Sequence, residues 1–281
     1  MLIRYGYELE FYCPQSVMMV CLLDAHSDHM HQIRVPGVFR TDPFIPSTTY
    51  IDSFGNSVRR FMAPQGVLRI SRDSLFESDG ETQDYAPYAQ EVPLYDVPSE
   101  YLVYLLGSRY CETDKLSDIA WGLFGHTQPG WWRVQAICDF VNQHLTFGYQ
   151  YARGTRTAFE AYEERVGVCR DFAHLAVAFC RCMNIPTRYA NGFLGDIGVP
   201  RDPAPMDYNA WLEVYLGGRW YLFDARHNTP RIGRITVSRG RDATDIPLAT
   251  SFGPHVLNSF KVWTDEVGEE VYSDASLQAA Y

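Results

Sequence analysis

The chain has 281 residues, of which 46% are hydrophobic and 15% aromatic, enough apolar material for one large domain or two modest ones. Its 34 acidic residues outnumber its 24 basic residues, and the formal charge of −10, with no Lys/Arg run, argues against nucleic-acid binding by phosphate neutralisation. No stretch approaches about 18 uninterrupted apolar residues, and the first residues lack the apolar region of a signal peptide, so we expect no contact with a membrane and a cytoplasmic location.

The cysteines and histidines do not form the patterns expected of a disulfide framework or a zinc ribbon. Seven cysteines, an odd number, are scattered without a CxxC pair, which predicts reduced thiols. The segment "HSDHMH" places His26, His29 and His31 close together, and a metal site there is the alternative to an ordinary loop. Because this spacing fixes little ligand geometry, we predict no metal and no cofactor.

Residues 1–95 are predicted to form an all-β, sandwich-like N-terminal domain. The segments "IRYGYELEFY" and "GVLRISRDSLF" are typical of strands, and "TYIDSFGNSVRRFMAP" predicts two strands around a turn at Gly55-Asn56. Short strands separated by turn residues favour a sandwich. The polar, proline-containing segment 81–100 marks the predicted domain boundary.

Residues 96–281 are predicted to form a second domain, in which helices come first and strands follow. Short helical patterns in "SEYLVYLLGS" and "DKLSDIAWGLFG" precede a longer helix with apolar residues on one face at Val134, Ile137, Cys138, Val141 and Leu145. A strongly apolar helix is predicted from about Cys169 to Met183, ended by Asn184 and Pro186. A strand and a hairpin follow this helix.

Cys169 is the cysteine whose position suggests chemistry. It follows Gly167-Val168 and stands in the first turn of the apolar helix. The free N–H groups and the positive end of the helix dipole favour an anion there, so this placement can lower a thiol pKa and produce a nucleophile. The alternative is a small buried hydrophobe, which is what most cysteines in a core are.

The segment "MDYNAWLEVYLGGRWYLFDARHN" is predicted to form a hairpin around a two-residue turn at Gly217-Gly218. Leu216 would then pair with Arg219, Trp211 would face Asp224, and Asn209 would face Arg226. Strand alternation places four side chains on one face, Asn209, Trp211, Asp224 and Arg226. A catalytic cysteine needs a base beside the thiol and a third group that orients the base, and this face could supply them. An ordinary antiparallel pair is the alternative for the hairpin alone.

The two segments together resemble the bacterial transglutaminase-like superfamily, also described as cysteine-protease-like. "GVCRDFAHL", from Gly167, matches its cysteine box, and "NAWLEVYLGGRWYLFD", from Asn209, matches its histidine–aspartate box. The resemblance implies an α+β fold, with a papain-like core of helices packed on an antiparallel sheet behind an N-terminal β domain. It also implies that Cys169 is the nucleophile and Asp224 the orienting acid, with Asp171, Trp211 and Arg226 in supporting or substrate-binding roles.

One position departs from the family pattern. Asn209 stands where the family has histidine, and an asparagine amide does not take up a proton near neutral pH. His227 is predicted to point to the opposite face if the strand continues that far. His174 is five residues beyond Cys169, about 140° around the helix, and is predicted to pack or hydrogen-bond elsewhere. Arg226 could stabilise a thiolate but cannot shuttle protons.

Three hypotheses follow, and the sequence leaves open whether the chain is an enzyme. In the first, Cys169 attacks peptide or amide carbonyls, although the base position holds Asn209. In the second, the chain is a catalytically inactive relative that binds a peptide or protein in the cleft where the active members of the family bind substrate. In the third, it is a structural subunit of a multi-protein pathway. The partner is therefore expected to be a peptide or protein, while the sequence leaves the oligomeric state open.

Overall fold

The computed structural model describes residues 1–268. Four α-helices lie within that part of the chain, α1 (Thr113–Phe124), α2 (Trp131–His144), α3 (Ala158–Glu164) and α4 (Cys169–Cys182). The same residues form the strands β1 (Leu2–Cys13), β2 (Val17–Cys21), β3 (Ile33–Val35), β4 (Arg40–Asp42), β5 (Ser47–Ile51), β6 (Ser57–Ala63), β7 (Gly66–Glu77), β8 (Thr146–Phe147), β9 (Val166–Gly167), β10 (Thr187–Phe193), β11 (Asn209–Leu216), β12 (Arg219–Phe223), β13 (Ile235–Gly240), β14 (Ala249–Ser251) and β15 (Val256–Val267). The predicted helical segment "SEYLVYLLGS" is a 3₁₀ helix, Ser99–Leu105.

The N-terminal strands form two antiparallel sheets, as the alternating sequence pattern predicted. One sheet has the order β15-β1-β7-β3, with β4 also on β7, and the other has the order β14-β2-β6-β5. Strand β1 illustrates how the alternating pattern forms a sheet with one buried face. Its inward side chains are all at most 4% exposed: Ile3, Tyr5, Tyr7, Leu9 and Phe11. Burying this row of large apolar side chains against the second sheet stabilises the pair of sheets.

The two sheets include strands from both ends of the chain. Strand β15 pairs with β1 from Leu2↔Val267 to Tyr12↔Val256, and β14 pairs with β2. The division into residues 1–95 and 96–281 stays a prediction, but the second segment contributes two strands to the sandwich of the first. The local sequence pattern predicts which segments are strands. It does not predict that β1 and β15 pair, because about 250 residues separate them in the chain.

The central helix α4 is the element around which the second core is built. Its side chains from Phe172 to Cys182 are all buried, and it packs against α1, α2 and α3 on one side and β10 and β11 on the other. The helix ends within one residue of the predicted Met183, because Asn184 adopts a left-handed conformation (φ 61°) and Pro186 follows. The papain-like arrangement of helices on an antiparallel sheet, in the order β12-β11-β10-β13, is therefore as predicted.

The hairpin β11–β12 has the predicted turn and register, but it ends earlier than predicted. Gly217 and Gly218 both have positive φ (56° and 92°), as a type I′ turn requires, and the pairing runs from Leu216↔Arg219 to Leu212↔Phe223. The predicted pairs of Trp211 with Asp224 and of Asn209 with Arg226 do not form in the ladder.

The early end of the ladder has a local cause. Asp224 Oδ1 accepts hydrogen bonds from the backbone N–H groups of Arg226 and His227, both at 3.0 Å. These bonds close a turn immediately after β12, as aspartate side chains commonly do. The assumption that the strand continues to His227 is therefore wrong, and the orientation inferred for that histidine fails with it.

Among residues 1–268, no helix is both long and apolar enough to cross a bilayer.

Candidate active site

Cys169 occupies the first position of α4, and the turn that holds it is built by Asp171. The Asp171 Oδ2 atom accepts hydrogen bonds from the Val168 N–H at 2.9 Å and from Arg156 Nη1 at 3.0 Å. Gly167 is required beside it, because a Cβ there would lie 2.6 Å from the Asp171 Cβ. Asp171, predicted to have a supporting role, therefore shapes the end of the helix from a buried position.

The Cys169 side chain is partly exposed and lies between the two layers of the molecule. Its Sγ donates to the carbonyl oxygen of Tyr208 at 3.7 Å. The sulfur borders a cavity of ≈ 500 Å³ whose mainly apolar wall comes from both the sandwich and the core, including Leu9, Phe11, Tyr110, Tyr189, Leu257 and Phe260. The thiol is thus accessible from a cleft and touches peptide groups on its other side.

Loss of hydration dominates the electrostatics of this thiol. Burial, together with the negative charges of Asp207 and Asp224, raises the pKa of Cys169 to about 12. The guanidinium of Arg226 and the backbone N–H of Ala210 act in the opposite direction but do not compensate. The helix N-terminus alone would favour a thiolate, so it is the tertiary surroundings that keep the thiol protonated at neutral pH.

We expect the alkylation rate of Cys169 by iodoacetamide to rise with pH beyond 9 without reaching a plateau. Only the thiolate reacts, and a pKa near 12 leaves its fraction rising tenfold per pH unit over this range. Mass spectrometry of the peptide containing Cys169 gives the rate, and the urea-unfolded chain is the control, with an ordinary thiol pKa of about 8.5. A plateau at or below pH 8.5 in the folded protein would contradict the expectation.

Asn209 begins β11, near the thiol, and its side-chain amide bonds to the backbone just before the strand. Its Nδ2 donates to the carbonyl oxygen of Asp207 at 3.3 Å. Both Asp207 and Asn209 border the cavity of Cys169 and also a second cavity of ≈ 610 Å³. Burial raises the pKa of the Asp207 carboxyl, although the Tyr208 N–H donates to it at 2.7 Å. Sequence analysis missed Asp207; its position two residues before Asn209 in an extended segment was the available signal.

Asp224 is a buried carboxylate with a full set of partners. In addition to the two backbone N–H groups on Oδ1, its Oδ2 accepts from His227 Nδ1 at 2.8 Å and from the guanidinium of Arg234. Burial disfavours the charged form, but the charge of Arg234 and the hydrogen bonds from His227 outweigh it and hold the pKa of Asp224 well below its usual range. The acid predicted to orient a base therefore binds a histidine, at position 227 instead of 209.

The other two residues predicted to have supporting roles, Arg226 and Trp211, lie in different surroundings. Arg226 borders the larger cavity, with its guanidinium 3.9 Å from the centre of the Phe147 ring. Trp211 is 0% exposed, and the guanidinium of Arg234 lies 5.0 Å from its ring centre, so Trp211 supports the cation that holds Asp224. Arg234 itself was missed, since nothing in the sequence near residue 234 indicates a link to Asp224.

The remaining histidines singled out in the sequence lie in other surroundings. His174 is buried, stacks on Tyr110 and accepts a hydrogen bond on Nε2 from the Ala243 N–H at 3.1 Å, which agrees with the predicted packing role. His26 and His29 bond to protein groups, His26 to the Asp28 N–H and His29 to Gln32. No cluster of three metal-ligating side chains occurs within residues 1–268.

Comparisons with known proteins agree with the fold. Residues 122–225 match the model of the transglutaminase-like superfamily. The uncharacterized protein ML0607 of Mycobacterium leprae is 34% identical over 222 residues, which cover 73% of this chain and 76% of that protein. Another relative, the uncharacterized protein Rv2569c of Mycobacterium tuberculosis, is 30% identical over 127 residues, 41% of this chain and 40% of that one.

A solved structure matches almost the whole chain. It is described as a "Putative Cysteine Protease from Cytophaga hutchinsonii", with 25% identity and a TM-score of 0.83 over 95% of this chain and 91% of that one. The sandwich and the helical core therefore occur together in another protein.

Proposed function

We propose, from the premise that this chain belongs to the transglutaminase-like superfamily, that it acts on peptide or amide groups of proteins through the Cys169 thiol. The observation that carries the proposal is the position of the sulfur at the start of α4, partly exposed to a cleft and close to both Asn209 and the oriented carboxylate of Asp224. A cysteine nucleophile supported by an acid would have this arrangement, which supports the proposal.

The shape of the site supports a protein or peptide as the partner. The cavity beside Cys169 has apolar walls, with Leu9 and Phe260 from the sandwich facing Tyr189 from the core. The neighbouring ≈ 610 Å³ cavity is more polar and contains Arg226, Arg231 and Asp196. A polypeptide lying across Asp207 and Asn209 would place an apolar side chain in one cavity and polar backbone in the other.

The raised pKa of the thiol sets a condition on the chemistry. A protonated Cys169 can attack a carbonyl carbon only if a base removes the thiol proton as the S–C bond forms. The resulting thioester would then be resolved by water or by an amine. Asn209 cannot act as this base, because an amide does not take up a proton near neutral pH.

The proposal is tested with casein as the acyl donor. Peptide release measures hydrolysis, and incorporation of monodansylcadaverine measures acyl transfer to an amine. We expect the wild type to show at least one activity and Cys169→Ala to lose it. The matched control is Cys182→Ala, a cysteine at the far end of the same helix, which should retain it. Equal activity in Cys169→Ala and the wild type would refute a nucleophilic role for Cys169.

A second candidate function is binding without chemistry, and a specific observation favours it. Among the hydrogen bonds of residues 1–268, the Cys169 sulfur contacts backbone groups and no histidine nitrogen. A binding protein should retain the same partner with wild-type and Cys169→Ala baits in a pull-down. A partner captured by the variant alone would instead be a trapped substrate. The cytoplasmic location and the third hypothesis, a structural subunit, stay predictions from the sequence.

A further inference from the structure

His227 forms the only hydrogen bond between an imidazole and Asp224 within the described chain, and this bond fixes the tautomer of the ring. Its Nδ1 lies 2.8 Å from Asp224 Oδ2, and an ionised carboxylate can only accept. The proton is therefore on Nδ1, and the lone pair is on Nε2. The backbone N–H of His227 binds the same carboxylate, so the residue is held at two points. A histidine oriented in this way is prepared to receive a proton on its second nitrogen.

The ring also has the charge state that a base needs. Burial lowers the pKa of His227 below its ordinary value of 6.5, and the charges of Arg226 and Arg234 act in the same direction. The hydrogen bond and the charge of Asp224 oppose this effect without reversing it. The imidazole is consequently neutral at pH 7, and its Nε2 can accept a proton.

The second ring nitrogen, Nε2, is linked to the thiol through Arg226. Nε2 contacts the guanidinium of Arg226, and that guanidinium lies close enough to Cys169 to lower the pKa of the thiol. His227, Arg226 and Asn209 border one cavity, and Asn209 with Asp207 forms the wall shared with the cavity of Cys169. Arg226 thus contacts Nε2 of His227 and is close enough to Cys169 for its charge to act on the thiol.

We propose that His227 is the catalytic base of this site, in the role that Asn209 cannot fill. The inference rests on the proposed function of Cys169. As substrate enters, the Arg226 guanidinium moves off Nε2, and Nε2 takes the proton of Cys169 Sγ while the sulfur bonds to the carbonyl carbon. The imidazolium then gives this proton to the leaving amine as the C–N bond breaks. In the second half-reaction, water attacks the thioester carbonyl carbon while Nε2 takes its proton, the C–S bond breaks with release of the carboxylic acid, and the imidazolium returns the proton to Cys169 Sγ.

The short side chain at position 209 is part of this assignment. A histidine at 209 would compete with His227 for the single Asp224 carboxylate, whereas asparagine bonds to the Asp207 carbonyl oxygen and leaves Asp224 to His227. The residue at 209 and the partner of Asp224 are therefore linked. Replacing His227 should make position 209 able to host a functional histidine.

The test measures acylation of Cys169 in the full-length chain by p-nitrophenyl acetate, from pH 5 to 9. Release of p-nitrophenol gives the rate, and mass spectrometry locates the acetyl group. The variants are Cys169→Ala, His227→Gln, and Asn209→His alone and combined with His227→Gln. The control is His144→Gln, a histidine stacked between Phe140 and Tyr162 outside the site. Thermal unfolding of each variant establishes that it is folded.

We expect His227→Gln to lower the acylation rate by about 10²–10⁴-fold, the usual contribution of a general base. It should also remove the inflection below pH 6.5 that we expect in the pH–rate profile of the wild type as His227 becomes protonated. In the His227→Gln background, Asn209→His should raise the acylation rate at least tenfold. In the wild-type background the same substitution should change the rate little. His144→Gln should keep both the rate and the inflection.

The outcomes separate this inference from the proposed function. A wild-type rate and pH profile in His227→Gln, with no acylation in Cys169→Ala, would overturn the role of His227 and leave the Cys169 nucleophile in place. His255→Gln is added to the set of variants, because the ring of His255 borders the Cys169 cavity, and a loss of acylation confined to this variant would overturn the role of His227 as well. Acylation at the same rate in Cys169→Ala and the wild type would overturn both proposals.

Discussion

Asp224→Ala is expected to lower the free energy of unfolding by about 3–5 kcal/mol at pH 7, the usual result of removing one partner of a buried ion pair. Asp224 is 4% exposed, and its carboxylate binds Arg234, His227 and the two backbone N–H groups of the turn after β12. The substitution leaves the Arg234 guanidinium buried without its counter-charge. Urea denaturation followed by circular dichroism measures the effect.

Glu77→Ala is the matched control for Asp224→Ala. Glu77 pairs with Arg34 at the surface, where both side chains are more than 40% exposed, and such pairs contribute at most about 1 kcal/mol. If Asp224→Ala cost no more than Glu77→Ala, the carboxylate would not be the anchor of the turn. His227 would then need another source of orientation.

The folded chain is expected to lose up to about 3 kcal/mol of stability between pH 6.5 and pH 4 through His26 alone. Burial, reinforced by the charge of Arg239, lowers the pKa of His26 to about 4, although Asp28 and Glu213 favour protonation. Between pH 4 and 6.5 the unfolded chain therefore binds the proton that the folded chain resists. Stability is fully present above pH 6.5 and falls as the pH is lowered, by at most 1.36 kcal/mol per pH unit.

The variant His26→Asn isolates this effect. Asparagine can accept the Asp28 N–H in place of His26 Nδ1, as a residue before a helix commonly does, and it does not titrate. We expect a shallower decline of unfolding free energy with acid, measured by urea denaturation at several pH values. Val177→Ala, a core substitution in α4, should lower stability at every pH and keep the wild-type slope. An unchanged slope in His26→Asn would show that His26 is not the titrating group.

The parts of the fold that follow from short-range chemistry could be predicted from the sequence. The ends of α4 depend on its own apolar residues and on Asn184 and Pro186, and both were correct to within one residue. The turn of the β11–β12 hairpin depends on Gly217 and Gly218, which alone fixed its register as far as Phe223. Recognition of the two boxes then gave the fold, which the family match and the Cytophaga hutchinsonii structure confirm.

The candidate site was predicted less completely, because its electrostatics depend on distant groups. Sequence reasoning named Cys169, Asn209 and Asp224, but it considered His227 only on the condition that the strand continued that far, and the strand ends at Phe223. It also missed Arg234, which lies ten residues after Asp224 in the chain and donates a hydrogen bond to its carboxylate. Neither error changes the fold, yet both change which side chain the acid can orient.

The amino-acid sequence by itself placed a cysteine at the start of a buried helix through local pattern, and its resemblance to the family placed an asparagine where the family has histidine. Only the tertiary structure decided that the thiol is desolvated and that Asp224 binds His227. Burial and ion pairing are properties of groups brought together from separate segments, here α4, the segment before β11 and the turn after β12. The physical reason is that hydration, unlike helix or turn propensity, is lost only when the layers of the molecule pack against one another.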